Sequence, residues 1–239
     1  MEAKFMSKTV IITGGTSGYG LATAKAFKNA GYITLITGRD LSRLEKAQKE
    51  SGADYIFAHD VKSYDGWVAL KEYADKTLGR LDVLVNNAGG GVAIRPIEEQ
   101  TRETIDEIIS LNLNSVMYAA QIFAADMKAC GSGTIINIAS VCATHAWANW
   151  SVYAAAKAGV LNFTKGLQTE LQPFGVRASC VIPASASTNF QSAASLSETN
   201  DSLQTEDIAQ TVLFVAEMPS RAIVEDITVW GMSQTVQPL

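Results

Sequence analysis

The sequence TVIITGGTSGYG, residues 9–20, carries the strongest structural information in this chain. A short β-branched run leads directly into a turn with four glycines, and helical sequence follows at once. Gly14 permits a tight turn, Gly18 lets the backbone approach a pyrophosphate, and Gly20 lets the helix pack closely on the strand. The helix N-terminus then offers unpaired N–H groups and a favourable dipole to phosphate. The segment therefore predicts a strand–turn–helix unit that binds a nucleotide.

Similar apolar runs recur along the chain and alternate with segments of helical period. The predicted strands are residues 9–13, 33–36, 55–57, 81–85, 134–138, 176–182 and 226–229. Helices are expected at 21–30 and 41–50, and a capped helix is expected to lead into 208–217. The strands are apolar throughout, which suits burial on both faces. The pattern predicts an α/β fold, a Rossmann-type doubly wound parallel sheet, in a single domain over residues 1–239.

The bulk composition points to small-molecule chemistry. The chain has 239 residues, 47% of them hydrophobic, and its 19 basic and 24 acidic residues give a net charge of -5. This balance gives no reason to expect nucleic acid or an anionic membrane as a partner. Residues 129–156 hold no Asp, Glu, Lys or Arg, but polar residues such as Asn137 and Asn149 argue against a membrane span.

The cysteines and the first residues bear on the compartment. Cys130, Cys142 and Cys180 are widely spaced and form no CxxC pair, so we expect neither a disulfide framework nor a metal site. The opening residues do not resemble a secretory signal. A reducing, cytoplasmic location is the expectation.

A second motif combines a serine, a tyrosine and a lysine. Tyr153 follows Ser140 by thirteen residues, and Lys157 follows Tyr153 by four. On a helix, the spacing of four places Tyr153 and Lys157 on one face. A phenol is a poor base at neutral pH, so it needs a nearby cation, and Lys157 would provide one. Ser140, at the end of the fifth strand, would hold a substrate oxygen beside the tyrosine.

The spacing TGxxxGxG, the element NNAG at 86–89 and the YxxxK motif together resemble the short-chain dehydrogenase/reductase family, from about residue 8 to at least Thr188. The resemblance implies an oxidoreductase that interconverts a carbonyl and an alcohol by direct hydride transfer, without a metal. It implies that Asn112 joins Ser140, Tyr153 and Lys157 as a catalytic residue by linking the lysine through water to a proton relay. Asn114 is the nearby alternative.

The resemblance also implies the cofactor contacts. These positions are Gly14, Thr16, Ser17, Gly18, Tyr19, Gly20, Arg39, Asp60, Val61, Asn87, Ala88, Gly89, Tyr153, Lys157, Pro183 and Thr188.

The end of the second strand bears on the choice of cofactor. Gly38 stands where relatives that use NAD carry an acidic residue, which would repel a 2'-phosphate. Arg39 offers a planar charged fork to a phosphate, and Asp40 is expected to cap the next helix. We therefore expect NADP(H) rather than NAD(H). In the alternative interpretation, Arg39 is a solvated residue at the helix entry.

Some segments depart from the family's pattern. Ala184 replaces a glycine after the sixth strand, and the triple glycine at 89–91 is expected to loosen the floor of the site. Residues 184–204 are expected to form a substrate loop. The C-terminal segment at 224–229 resembles a subgroup that acts on small polar hydroxy compounds such as 3-hydroxy acids.

Several alternatives stay open at this point. An apolar pocket lined by Trp147, Trp150, Phe190 and Met232 would instead suit a hydroxysteroid or another apolar alcohol. An epimerase or dehydratase that recycles its cofactor would use the same tyrosine and lysine. A nucleotide-sensing or scaffold protein would carry them as a vestigial site. The resemblance also implies a homotetramer or dimer, formed by the helices that begin near Asn112 and Trp150.

Overall fold

A seven-stranded parallel sheet forms the centre of the molecule in the computed structural model, which describes residues 7–184 and 203–234. The strand order is β3-β2-β1-β4-β5-β6-β7. The strands are β1 (Thr9–Thr13), β2 (Ile33–Gly38), β3 (Tyr55–Ala58), β4 (Val83–Asn86), β5 (Gly133–Ile138), β6 (Val176–Pro183) and β7 (Asp226–Val229). The order reverses direction between β1 and β4, so a crevice opens there at the carboxyl ends of the strands.

Helices cover both faces of this sheet. They are α1 (Gly18–Asn29), α2 (Leu41–Ser51), α3 (Tyr64–Thr77), α4 (Arg102–Ile109), α5 (Ser115–Cys130), α6 (Ser151–Leu171) and α7 (Thr205–Glu217). Val10 and Ile12 pack with α1, α2 and α7, whereas Ile11 packs with α3, α5 and α6. Successive side chains of one strand thus enter two different cores, which explains why the strands are apolar throughout.

The predicted fold class, a Rossmann-type doubly wound parallel sheet, is confirmed. Each predicted strand is present, with bounds that differ by at most two residues. Two strands differ by two residues at one end: β2 ends at Gly38 rather than at residue 36, and β4 begins at Val83 rather than at residue 81. Just before β4, the Asp82 carboxylate accepts a hydrogen bond from the backbone N–H of Thr9 at 2.9 Å. The extent of the domain over 1–239 stays a prediction, and most of the predicted substrate loop, residues 185–202, lies outside the described residues.

A continuous helical run covers residues 102–130. A π-helical turn at Ser110–Asn114 joins α4 to α5 within it. The run is long and apolar enough to cross a membrane by length and composition alone. However, Ala119, Phe123 and Met127 of α5 are buried against the sheet, and the core helices of globular folds pass the same test.

Candidate active site

A groove lies across the carboxyl ends of the strands, at the crevice between β1 and β4. Its cavity volume is about 1,110 Å³. The predicted cofactor residues that line it are Gly14, Thr16, Ser17, Gly18, Tyr19, Arg39, Val61, Asn87, Ala88, Gly89, Tyr153, Lys157 and Pro183. The fold therefore brings the glycine-rich turn and the tyrosine–lysine pair to one continuous surface.

The glycine-rich turn is held close to the loop that follows β4. A Cβ on Gly20 would lie 2.2 Å from the carbonyl oxygen of Gly14, so the α1 backbone approaches this turn as only glycine allows. Asn87 Nδ2 donates to the Thr13 carbonyl at 2.9 Å. Ser17 precedes α1 without a capping side-chain bond, and the first turn of α1 carries no acidic residue. The N–H groups of this helix start are therefore available to an anion.

Gly20 itself does not line the groove and acts through this close packing. Asp60, which the resemblance assigns to adenine, is also not among the described residues that line it. Its Oδ1 accepts from the Lys62 backbone N–H at 2.9 Å, and Lys62 Nζ lies 3.8 Å from Oδ2. Thr188 lies outside the described residues.

The turn from β2 to α2 places two arginines beside the groove. Arg39 and Arg43 both line it, and both are exposed. Asp40 caps α2, as expected, by accepting from the Arg43 backbone N–H at 3.1 Å. The hydrogen bond from Ser42 holds the pKa of Asp40 below its ordinary value. Arg43 was not predicted, although its spacing of four residues from Arg39 could have indicated it.

The catalytic candidates meet where β5 ends. Ser140 follows β5 by two residues, and its Oγ accepts from the backbone N–H of Cys142 at 3.2 Å. Because α6 begins at Ser151, Tyr153 and Lys157 lie in its first two turns, and the Tyr153 and Ser140 side chains hydrogen-bond. Lys157 Nζ donates to the Ile138 carbonyl at 2.9 Å and lies 5.8 Å from the centroid of the Tyr153 ring.

Burial governs the electrostatics of this cluster. It raises the pKa of Tyr153 above its ordinary value, while the Ser140 hydrogen bond opposes this shift. This direction is opposite to the one expected from Lys157 alone. Burial also lowers the pKa of Lys157 to about 8, although the Cys180 and Cys142 thiols oppose that change. At neutral pH the site therefore holds a protonated phenol beside a lysine that is close to its titration range.

Asn112 lies behind the floor of the groove, within the π-helical turn, and is fully buried. Its Nδ2 donates to the carbonyls of Gly90 at 2.9 Å and Ile108 at 3.0 Å, and its Oδ1 accepts from the Gly90 N–H at 2.9 Å. A Cβ on Gly89 would lie 2.9 Å from Asn112 Oδ1 and 3.2 Å from Lys157 Nζ. Asn112 thus neighbours the lysine across Gly89. The expectation that the triple glycine loosens the floor is wrong at Gly90, which Asn112 holds at both its N–H and its carbonyl.

Sequence reasoning missed Cys142, whose only signal was its position two residues after Ser140. Its thiol makes a side-chain hydrogen bond with Ser140, and burial raises its pKa. It packs in one cluster with Tyr153 and Trp150. The thiol therefore belongs to the immediate surroundings of the catalytic candidates.

Aromatic side chains follow Ser140 in the chain, and one of them contacts Tyr153. The Trp150 ring centroid lies 5.6 Å from that of Tyr153, and His145 lies 5.4 Å from Trp230 in an edge contact. The ring centroids of Trp147 and His145 lie 6.0 Å apart. Of the other predicted pocket residues, Met232 is 98% exposed and Phe190 lies outside the described residues.

Ala184 occupies the position where the family usually has glycine, and its φ is not positive. Among the described residues other than glycine, Asn149 alone has a positive φ. The Ala184 N–H donates to the Val229 carbonyl at 2.9 Å, and its carbonyl accepts from the Tyr19 hydroxyl at 3.3 Å. The Ala184 backbone is thus tied both to β7 and to the glycine-rich turn.

Known proteins share this fold and are similar to this chain over most of its length. The profile of the short chain dehydrogenase family matches residues 8–199. A 7alpha-hydroxysteroid dehydrogenase of Bacteroides fragilis is 33% identical over 92% of this chain and 91% of its own. A Haemophilus influenzae protein named "Probable NADP-dependent dehydrogenase" is 29% identical over 95% of this chain and 94% of its own. The closed form of a serine dehydrogenase complexed with NADP+ superposes with a TM-score of 0.89 at 25% identity, over 97% and 98% of the two chains.

The match of the family profile to most of the chain decides its class. The chain belongs to the short-chain dehydrogenase family and is an oxidoreductase of that family. The family resemblance inferred from TGxxxGxG and YxxxK is thereby confirmed.

Proposed function

We propose that the protein uses NADP(H) to interconvert a ketone or aldehyde with an alcohol by direct hydride transfer, with Tyr153 as acid/base. The observation that carries the proposal is the contact of Tyr153 with Ser140 beside the buried Lys157, at the end of the groove opposite the arginines. A phenol and a hydroxyl placed together can both hydrogen-bond to one substrate oxygen.

The described residues fit an NADP(H) molecule. The uncapped start of α1 suits the pyrophosphate, and the Gly20 backbone lies too close to Gly14 for any side chain. Arg39 and Arg43 would hold the 2'-phosphate, and Asp40 is engaged in capping α2. When bound, the cofactor would supply the hydride donor or acceptor at its nicotinamide ring. NADP in the serine dehydrogenase structure and in the name of the Haemophilus relative supports this choice over NAD(H).

The proton chemistry follows from the pKa shifts. In reduction, Tyr153 donates its phenolic proton to the carbonyl oxygen while the carbonyl carbon receives hydride. Ser140 stabilises the charge that develops on that oxygen, and the Lys157 ammonium stabilises the phenolate left behind. Oxidation of an alcohol runs these transfers in reverse. Burial raises the pKa of Tyr153 further above neutral pH, so the phenol carries the proton that reduction requires.

For the substrate, we propose a small polar hydroxy or keto compound. The structural likeness to a serine dehydrogenase supports this class. A hydroxysteroid or another apolar alcohol is the second candidate. It is favoured by the aromatic ring of Trp150 beside Tyr153 and by the hydroxysteroid dehydrogenase relative.

We also propose a homo-oligomer, a dimer or a tetramer, that uses α5 and α6. Only 39% of the most apolar stretch within residues 102–130 is buried inside one chain. An apolar helix face of this kind suits contact with a second copy.

The test is a panel of keto acids, sugars, steroids and small aldehydes with NADPH, for wild type and Tyr153→Phe. We expect turnover by the wild type and a loss of roughly 100- to 10,000-fold in kcat for the variant, with NADPH affinity retained. Retained turnover in Tyr153→Phe would refute the acid/base assignment. Absence of wild-type turnover across the whole panel, with NADPH still bound, would favour the sensor or scaffold alternative.

A further inference from the structure

Tyr19 stands between Gly18 and Gly20 in the first turn of α1 and lines the groove. Its hydroxyl donates to the Ala184 carbonyl at 3.3 Å, a contact between residues 165 positions apart. A carbonyl oxygen only accepts hydrogen bonds, so the tyrosine is the donor. The side chain therefore joins the glycine-rich turn to the backbone at the end of β6.

The Tyr19 side chain is suited to hold backbone in place. Its ring packs against the core that α1 and α7 share with the sheet. Burial raises the pKa of the phenol well above its ordinary value, so the hydroxyl keeps its proton throughout the physiological pH range. The contact with Ala184 is thus made by a packed ring that remains a donor.

The end of β6 forms a wall beside the catalytic candidates. Ala184 is 5% exposed, and its N–H donates to the Val229 carbonyl of β7 at 2.9 Å. It packs in one cluster with Ala139 and Val141, the two residues that flank Ser140. This backbone is therefore held from β7 on one side and from α1 on the other.

Tyr19 also lies close enough to Tyr153 to raise the pKa of that phenol. Hydride transfer to a carbon held at Tyr153 would require the nicotinamide beside this residue, and therefore near Ala184. We propose that Tyr19 is a positioning residue, whose hydroxyl holds the end of β6 against α1 and so fixes the wall of the groove at the nicotinamide half of the cofactor. This inference rests on the proposed use of NADP(H).

The variant Tyr19→Phe keeps the ring and removes only the hydroxyl. The buried Ala184 carbonyl then loses this donor, and a ligand that reaches the end of β6 must order that backbone when it binds. In calorimetric titrations, the variant should bind NADPH roughly three- to tenfold more weakly, the effect of one neutral hydrogen bond.

Adenosine 2',5'-bisphosphate separates the two ends of the groove. It carries the adenosine and the 2'-phosphate of NADPH but no nicotinamide, so it would not reach Ala184. Its affinity should therefore stay within roughly twofold of the wild-type value in Tyr19→Phe.

Hydrogen exchange of the free protein tests the contact itself. The Ala184 amide is bonded to Val229, so its exchange reports how firmly the end of β6 is held. Mass spectrometry of a peptide that covers residues 180–184 should show faster exchange in Tyr19→Phe than in the wild type, with no dinucleotide added.

Tyr32→Phe is the matched control. Tyr32 belongs to the core against which Tyr19 packs, and its hydroxyl has no partner among the described residues. It does not line the groove. Its replacement should leave both affinities and the exchange of Ala184 unchanged.

Equal losses for NADPH and the bisphosphate, or no loss for NADPH, would overturn the inference. A selective loss for NADPH without faster exchange in the free protein would also overturn it, because Tyr19 would then contact the cofactor directly instead of positioning the strand. The proposed cofactor use fails in a different way, since the wild type itself would bind neither ligand.

Discussion

The two ends of the groove differ in how far their side chains are exposed. At the glycine-rich end, backbone N–H groups and the exposed side chains of Arg39 and Arg43 face the groove. At the catalytic end, the side chains of Tyr153 and Lys157 are almost completely buried, and burial shifts the pKa of both. Under the proposed function, cofactor binding at the first end would be spread over many exposed groups. Chemistry at the second end would depend on the protons of two buried side chains.

From this contrast we expect the largest loss of kcat in the variant Lys157→Met. Removal of the cation should lower kcat by roughly 100- to 1,000-fold, the usual scale for a preorganised charge. In the wild type, carbonyl reduction should decline as the pH rises through about 8, because Lys157 then loses its proton. The variant should lose that step in its profile of kcat against pH.

The stability of Lys157→Met gives a second measure. A buried ammonium is costly to desolvate, so we expect the melting temperature of the variant to match or exceed that of the wild type. The control is Lys165→Met on the same helix, where Lys165 is 43% exposed and lies 3.2 Å from Asp226. This change should leave kcat unaltered and shift stability by roughly 0.5 kcal/mol or less. A loss of stability in Lys157→Met alone, with kcat retained, would make Lys157 a structural residue.

At the other end of the groove the effects should be smaller and confined to binding. Arg39→Ala should raise the KM for NADPH and leave that for NADH unchanged, which reduces the preference for NADPH by roughly 10- to 100-fold. Arg43→Ala should also reduce the preference for NADPH over NADH, but only by roughly threefold. Steady-state kinetics gives the KM for NADPH and for NADH in the wild type and in each variant. Equal use of NADH and NADPH by the wild type would contradict the role of Arg39.

Backbone geometry and helical spacing made much of this predictable from sequence. Gly14 and Gly18 adopt positive φ in the turn, and Gly20 leaves room for α1 to pack on Gly14, as the glycine pattern predicts. The spacing of four between Tyr153 and Lys157 determines a shared helix face wherever the helix begins. Both patterns are local in the sequence, so they can be recognised without knowledge of tertiary contacts.

The unpredicted features depend on which way a side chain turns. Asp60 follows β3 as expected, yet its carboxylate binds the Lys62 backbone and does not line the groove. Gly90 looked like a source of mobility, but the Asn112 amide pairs with its backbone from a distant helix. The direction of the Tyr153 pKa shift follows from burial that only the folded chain creates.

The most direct test of hydride transfer at this site uses NADPH deuterated at C4 on one face or the other of the nicotinamide, with a carbonyl substrate from the panel. Mass spectrometry of the alcohol should show one deuterium on the carbinol carbon from one labelled form and none from the other. Product that forms without deuterium from either form would contradict direct hydride transfer.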